Sequence, residues 1–177
     1  EYIEDIRMYG LSFNTTLDET SVFGELAYRP NLPIGIATTN DLLAQVLGQA
    51  TQIALGQNVQ VSGQTVGLNS SRELHNSERV EAINTSLGAI HNFGPQLSFD
   101  SLFGVAELAS EHYRGSDLQY TDYKGVTRYY AGRQNSSYAG GADRDSQINK
   151  NSYGYTLLLN GTWNDVYAGV NLSPYAV

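Results

Sequence analysis

Glu107 and Glu111 come nearest to a catalytic pair in this sequence. Four residues apart on a strand, they share a face. Two carboxylates on one face could act as acid and base on a glycosidic bond, and with nearby Ser they are the whole support for a hydrolase acting on lipids. His75, His91 and His112 lack the close spacing of metal ligands. Asp143-Arg144-Asp145, after Gly140-Gly141, carries part of a calcium loop without the fuller run of acidic ligands ending in Glu. No Ser lies in a Gly-x-Ser-x-Gly elbow. With 0 Cys there is no thiolate, disulfide or zinc–sulfur chemistry. The Asn84-Thr85-Ser86 sequon reads as chance. The chain is therefore expected not to be an enzyme, with no catalytic, cofactor-binding or metal residues. Glu107 and Glu111 read instead as candidates to line a polar interior.

The elements that would position such side chains are strands. Tyr153, Tyr155, Leu157, Leu159, Gly161 and Trp163 fall on one face, and Ser152, Gly154, Thr156, Asn160 and Thr162 on the other, with Leu158 breaking the alternation. Asn164-Asp165 reads as a two-residue hairpin turn, after which Val166, Ala168, Val170 and Leu172 alternate with Tyr167, Gly169, Asn171 and Ser173. Tyr9, Leu11, Phe13, Thr15 and Leu17 alternate with polar residues, Asp18-Glu19-Thr20 turns the chain, and Val22, Gly24, Leu26 and Tyr28 return. Ile83, Thr85, Leu87, Ala89 and Phe93 share a face opposite Asn84, Ser86 and Gly88. Asn92-Phe93-Gly94-Pro95 punctuates, and the return strand is expected over Leu97 to His112 with ambiguous facing.

About six strands of about 9–14 residues result, where a tilted membrane strand needs about 9–11. They form three short-turn hairpins separated by two long segments, 30–79 and 114–150. Every short turn lies at one end of the strands and every long segment at the other, the layout of outer-membrane barrels. The expected fold is all-β: an antiparallel meander of about six strands, part of a transmembrane β-barrel, with one short helix in a long loop. The alternative, an ordinary sandwich, buries the same faces as a core. Single-chain membrane barrels start at about eight strands, so residues 1–177 read as a single fragment of a wall. The start at Glu1 and the end inside a strand are read as cuts from a longer protein.

Composition agrees. Hydrophobic residues are 41% and charged residues 16%, with 13 Tyr and 18 Gly, against roughly 25% charged in ordinary soluble domains. The net charge of −8 and the lack of a basic stripe exclude nucleic acid as a partner. No apolar run reaches the roughly 18 residues of a membrane helix. Tyr9, Phe13, Tyr28, Phe93, Tyr153, Tyr155 and Trp163 are the candidate aromatic girdle, with Phe13, Phe93 and Trp163 nearer the short turns. Asn14, Glu25, Arg29, Asn84, Ser86, Thr156, Asn160 and Asn171 are the candidate lumen-lining residues. They mix both signs of charge, which argues against a strongly ion-selective pore.

In segment 30–79, Thr39-Asn40-Asp41 reads as an N-cap before Leu42, Leu43, Val46 and Leu47, an apolar stripe at helical spacing. Gly48 or Gly56 ends this helix, which folds over the barrel mouth, packs into the lumen or lies on the surface of the loop. Residues 57–79 show weak alternation at Val59, Val61 and Val66. Segment 114–150 holds Tyr120, Tyr123, Tyr129, Tyr130 and Tyr138, a composition suited to contacting a ligand or partner, though an extracellular loop drifting in sequence accounts for it more simply.

Two stretches carry a family resemblance: Glu4-Asp5-Ile6-Arg7-Met8-Tyr9-Gly10-Leu11-Ser12-Phe13-Asn14-Thr15 and Gly24-Glu25-Leu26-Ala27-Tyr28-Arg29-Pro30-Asn31-Leu32-Pro33. They resemble a family of large Gram-negative outer-membrane proteins known as a domain of unknown function. Asn160-Gly161-Thr162-Trp163-Asn164-Asp165-Val166 is compatible with a late part of it. The resemblance implies an outer-membrane barrel handling hydrophobic molecules, lipids or steroids alongside efflux-type inner-membrane partners, and it carries over no catalytic residue. The expected function is that of a barrel segment in the bacterial outer membrane, touching membrane lipid and moving or binding hydrophobic small molecules. The alternative is a structural or adhesive β-rich surface protein.

Overall fold

A computed structural model describes residues 4–67, 74–130 and 148–177. Tyr138 and the Gly140–Asp145 motif lie outside the described residues. The chain divides into two compact units, one of Glu1–Arg7, Pro30–Glu81 and Tyr113–Lys150, the other of Met8–Arg29, Ala82–His112 and Asn151–Val177.

Strands dominate. They are β1 (Tyr9–Leu17), β2 (Thr20–Gly35), β3 (Val59–Val61), β4 (Gln64–Val66), β5 (Ser77–Gly94), β6 (Ser101–Arg114), β7 (Gln119–Thr121), β8 (Thr127–Tyr129), β9 (Asn151–Tyr167), β10 (Val170–Leu172) and β11 (Tyr175–Ala176). The helices are α1 (Thr39–Leu47) and α2 (Ala50–Ala54). The main sheet has the order β1-β2-β5-β6-β9-β10, with β11 also on β9, seven strands where about six are expected. The fold is all-β in outline, a mostly antiparallel sheet with few helical residues.

In the second unit the register fixes which side chains share a face. Leu11 pairs with Leu26, Tyr9 with Tyr28 and Phe13 with Gly24, with Asp18 at φ 52 in the connecting turn, as the alternation predicts. On the far side of the sheet Leu108 pairs with Tyr155, Ala106 with Leu157 and Glu107 with Thr156. This settles the ambiguous strand: Leu102, Ala106 and Leu108 share the apolar face, while Phe103 and Val105 take the other. The strand starts at Ser101 rather than Leu97, because Leu97 (φ 53) and Ser98 (φ 70) turn the chain.

The last hairpin differs from expectation. Its turn is Ala168-Gly169, flanked by the pair Tyr167–Val170, with both turn residues at positive φ as a twisted two-residue turn requires. Asp165 does adopt positive φ (51), but within β9. Trp163 pairs with Leu172, so Asn164-Asp165 is an irregularity in the ladder. The Asn171 carboxamide oxygen accepts the Asp165 N–H at 2.8 Å, and the Asp165 carboxylate accepts the Gly169 N–H at 2.7 Å.

Successive boundaries are closed by phenylalanine over glycine. The Phe13 ring covers Gly24, Phe23 covers Gly88, Phe93 covers Gly104 and Phe99 covers Gly161, each so close that a Cβ on the glycine would meet the ring. Aromatic cover restores the packing that a strand glycine lacks.

The first unit has its own core of Ile34, Ile36, Val80, Leu118 and Tyr130. Thr38, one residue before the expected cap, closes a capping box with Asp41, and the helix ends at Gly48 before α2. The expected apolar stripe does not face inward. Leu43, Val46 and Leu47 are exposed, while Asp41, Gln45 and Gln49 are buried. The glutamines act as a surrogate strand edge. Gln49 accepts the Gln60 N–H at 2.9 Å and donates to the Gln60 carbonyl at 2.6 Å. Gln45 accepts the Ser62 N–H at 2.7 Å and donates to the Tyr120 hydroxyl at 3.1 Å. Val59 and Val61 of the adjoining hairpin are buried.

Candidate functional site

Between β1 and Thr162 of β9, the strand residues of the second unit include four with formal charge: Glu25, Arg29, Glu107 and Glu111. The register places all four on one face. Glu25 pairs with Ser12, Glu107 with Thr156 and Glu111 with Ser152, and Arg29 is two residues past Ala27, the partner of Gly10. The opposite face carries no Asp, Glu, Lys or Arg.

Three neighbouring strands, β2, β5 and β6, are tied on the polar face by a relay of side chains. Arg29 Nη1 donates to Asn84 Oδ1 at 2.8 Å, and Asn84 Nδ2 donates to Glu111 Oε1 at 2.8 Å. One amide thus joins one guanidinium to one carboxylate without direct contact between the charges. Glu25, Asn84, Ser86, Glu111 and Ser152 line a concavity of about 440 Å³ beside this relay. It can accept hydrogen-bond donors and cations, since its carboxylates outnumber the guanidinium.

Of the expected lining residues, the structure brings Glu25, Arg29, Asn84 and Ser86 together here. Asn14 pairs with Phe23, Thr156 with Glu107 and Asn160 with Phe103, on the same face but outside the concavity. Asn171 is instead engaged by Asp165 in the final hairpin.

The girdle candidates occupy the uncharged face. Tyr9 stacks with Tyr28 at 6.5 Å between ring centroids, and Trp163 stacks on Phe99 at 4.2 Å while donating to the Ser98 carbonyl at 2.7 Å. The two histidines on this face are hydrogen bonded: His91 Nδ1 lies 2.7 Å from Thr20 Oγ1, next to Phe93, and His112 Nδ1 lies 2.8 Å from Asn151 Oδ1, next to Tyr153. Leu11 is 73% exposed, Leu108 65% and Tyr155 77%, so among the described residues nothing covers this face.

The family model for a protein of unknown function, DUF1302, matches residues 1–177. The chain belongs to the DUF1302 family. No curated protein and no solved structure matches it.

The first unit of this DUF1302 chain holds polar centres that alternation does not reveal. Glu78 Oε2 accepts from Tyr130 OH at 2.5 Å and from Ser116 Oγ at 2.7 Å. Burial, and then the Glu78 carboxylate, push the Tyr130 phenol up to about 12. Asp122 caps the β7–β8 turn, accepting from the Lys124 and Val126 N–H groups and from Arg128 Nε at 2.8 Å. Burial alone raises its pKa, but these donors outweigh burial and hold the carboxyl below its usual range. Burial also raises Tyr120, with the nearby Asp41 carboxylate adding to it. The spacing Asp41, Gln45, Gln49 was the available signal for the buried polar helix face. Nothing local marks Glu78 as the partner of a tyrosine 52 residues away. Among the described residues no group of three or more His, Asp or Glu could hold a metal ion, and no helix is long and apolar enough to cross a membrane, which leaves crossing by strands untouched.

Proposed function

We propose that this DUF1302 chain forms a stretch of wall of a transmembrane β-barrel in the bacterial outer membrane, and that the barrel moves or binds hydrophobic small molecules or lipids. One observation carries the reading. In the second unit, from β1 to Thr162 of β9, a sheet face without a charged side chain, crowded with exposed Leu, Tyr and Phe, backs onto a face holding the four charges of those strand segments. Exposed apolar patches beyond a few hundred Å² mark interaction or membrane surfaces. Lipid against this face removes the cost of hydrating it, and the polar face with its concavity then borders the lumen.

The aromatic spacing supports the same reading. Tyr153 and Trp163 are ten residues apart on β9, about 33 Å along the strand, which a tilt of about 40° reduces to about 25 Å, the height of a barrel's apolar band. The second reading, a structural or adhesive surface protein, draws on the edge strand β1, which has no Lys, Pro or bulge to discourage further pairing.

The test is fractionation of cells that make the chain. Recovery in the outer-membrane fraction and solubilisation only by detergent is the expected result. Release into buffer as a monodisperse β-rich species overturns the membrane reading, and ordered multimers in buffer point to the surface-assembly protein.

A further inference from the structure

On the uncharged face, two apolar concavities of about 460 and 450 Å³ run into each other, sharing Ala89, Ala106 and Leu157. Toward the short turns the first continues past Gly104 between Phe93 and Leu159, and His91 lies at this end. Away from the turns the second continues between Leu87, Leu108 and Tyr155. The register sets the order along the strands, since Gly104, Ala106 and Leu108 pair in turn with Leu159, Leu157 and Tyr155. The result is one groove following the strand direction, floored by small residues and walled by large apolar ones.

Its length and polarity narrow the occupant. From Phe93 to Leu87 is about 20 Å along the strand, which at a tilt of about 40° gives about 15 Å of depth. That is about half of a 30 Å hydrocarbon core, the reach of one leaflet's chains. An imidazole stands at the short-turn end. There the Thr20 hydroxyl occupies His91 Nδ1, which leaves Nε2 as the ring nitrogen for a second oxygen.

We propose that this groove retains one acyl chain of a bilayer lipid, with the lipid's polar end at His91. The inference rests on the membrane reading above and adds a discrete site to it, where the rest of the uncharged face meets only mobile lipid. The proposal has a direct test in the full chain reconstituted in phosphatidylcholine vesicles carrying spin-labelled phosphatidylcholine. Electron spin resonance should show a slowly exchanging, immobilised lipid component above that of protein-free vesicles. Ala106→Phe, which fills the groove floor, should abolish the slow component, and His91→Ala, which adds no bulk, should speed its exchange. Leu11→Phe, on the same face outside the groove, should leave it unchanged. Circular dichroism establishes that each variant keeps its β signal. An identical slow component in all variants overturns the groove while leaving the membrane reading intact. A spectrum matching protein-free vesicles in every case overturns the membrane reading and the groove with it.

Discussion

Asn84 holds Glu111 by a 2.8 Å hydrogen bond across the sheet while its carbonyl oxygen accepts Arg29. One side chain therefore satisfies two charged partners on neighbouring strands. Asn84→Ala leaves a guanidinium and a carboxylate without their partner and is expected to destabilise the sheet by about 1–3 kcal/mol. Denaturant unfolding in detergent measures this. Asn84→Asp should differ in kind, strengthening the contact to Arg29 and repelling Glu111.

Neighbouring residues on β9 should respond oppositely to the same charge. Leu157→Arg puts a cation on the uncharged face and should cost about 2–4 kcal/mol of membrane stability, the scale measured for lipid-facing sites near the bilayer midplane. Thr156→Arg, beside Glu107 on the polar face, should cost little. Equal effects in the two variants, read by folding into vesicles against urea, would contradict the assignment of the faces.

The Tyr130–Glu78 bond predicts an alkaline limit for the first unit. The Tyr130 pKa is raised to about 12 in the folded chain, against about 10 in an unfolded one, so the folded state holds the proton more tightly. The resulting stability is fully present below pH about 10 and is lost as pH rises toward 12. Tyr130→Phe should remove this dependence and cost about 1.5–3 kcal/mol at neutral pH, because the acceptor is a carboxylate. Ultraviolet titration of the tyrosinate and unfolding at several pH values check both statements.

Asp122 works in the opposite direction. Its folded pKa is lowered, so its contribution is present above the ordinary carboxylate value of about 4 and is lost as pH falls through the lower folded value. Asp122→Asn should flatten this acid dependence and loosen the β7–β8 hairpin, seen as faster hydrogen exchange at Val126.

Gln49 replaces a strand partner for Gln60. Gln49→Leu keeps helix propensity but leaves a backbone N–H and carbonyl of β3 unpaired, a cost of about 1–3 kcal/mol for each if both stay dry. Faster exchange of the Gln60 amide, with α1 still helical by circular dichroism, is the expected signature.

The strand faces were legible in the sequence because period-two alternation needs no knowledge of partners. Tyr9 to Tyr28 came out as read, except that Thr20 pairs with Leu17 and leaves Asp18-Glu19 as the turn. Register was not legible, so the relay through Asn84 and the facing of Phe103 had to come from the structure. The last hairpin misleads because Asp165 does take positive φ, the property that marks a turn, while the true turn puts an alanine there. The helix misleads for a different reason. Its apolar stripe is real, but Gln45 and Gln49 each satisfy backbone groups of the β3 hairpin, and those bonds, rather than apolar contact, set which side is buried. The long segments read as loops because β3, β4, β7 and β8 are only three residues each, which leaves at most the weak alternation of Val59, Val61 and Val66.

The four phenylalanine–glycine contacts make the strands a keyed sequence. Sliding any neighbour by two residues keeps every side chain on its proper face, so polarity alone does not forbid the slip. The rings do forbid it. A slipped Phe23 would strike Ser86 or Ile90 and leave Gly88 bare, and the same mismatch would recur at the other three boundaries. Each ring and its glycine should therefore tolerate exchange as a couple more readily than singly. Gly88→Phe with Phe23→Gly, the key turned over in its lock, is the substitution that ought to restore alignment where either half alone loses it.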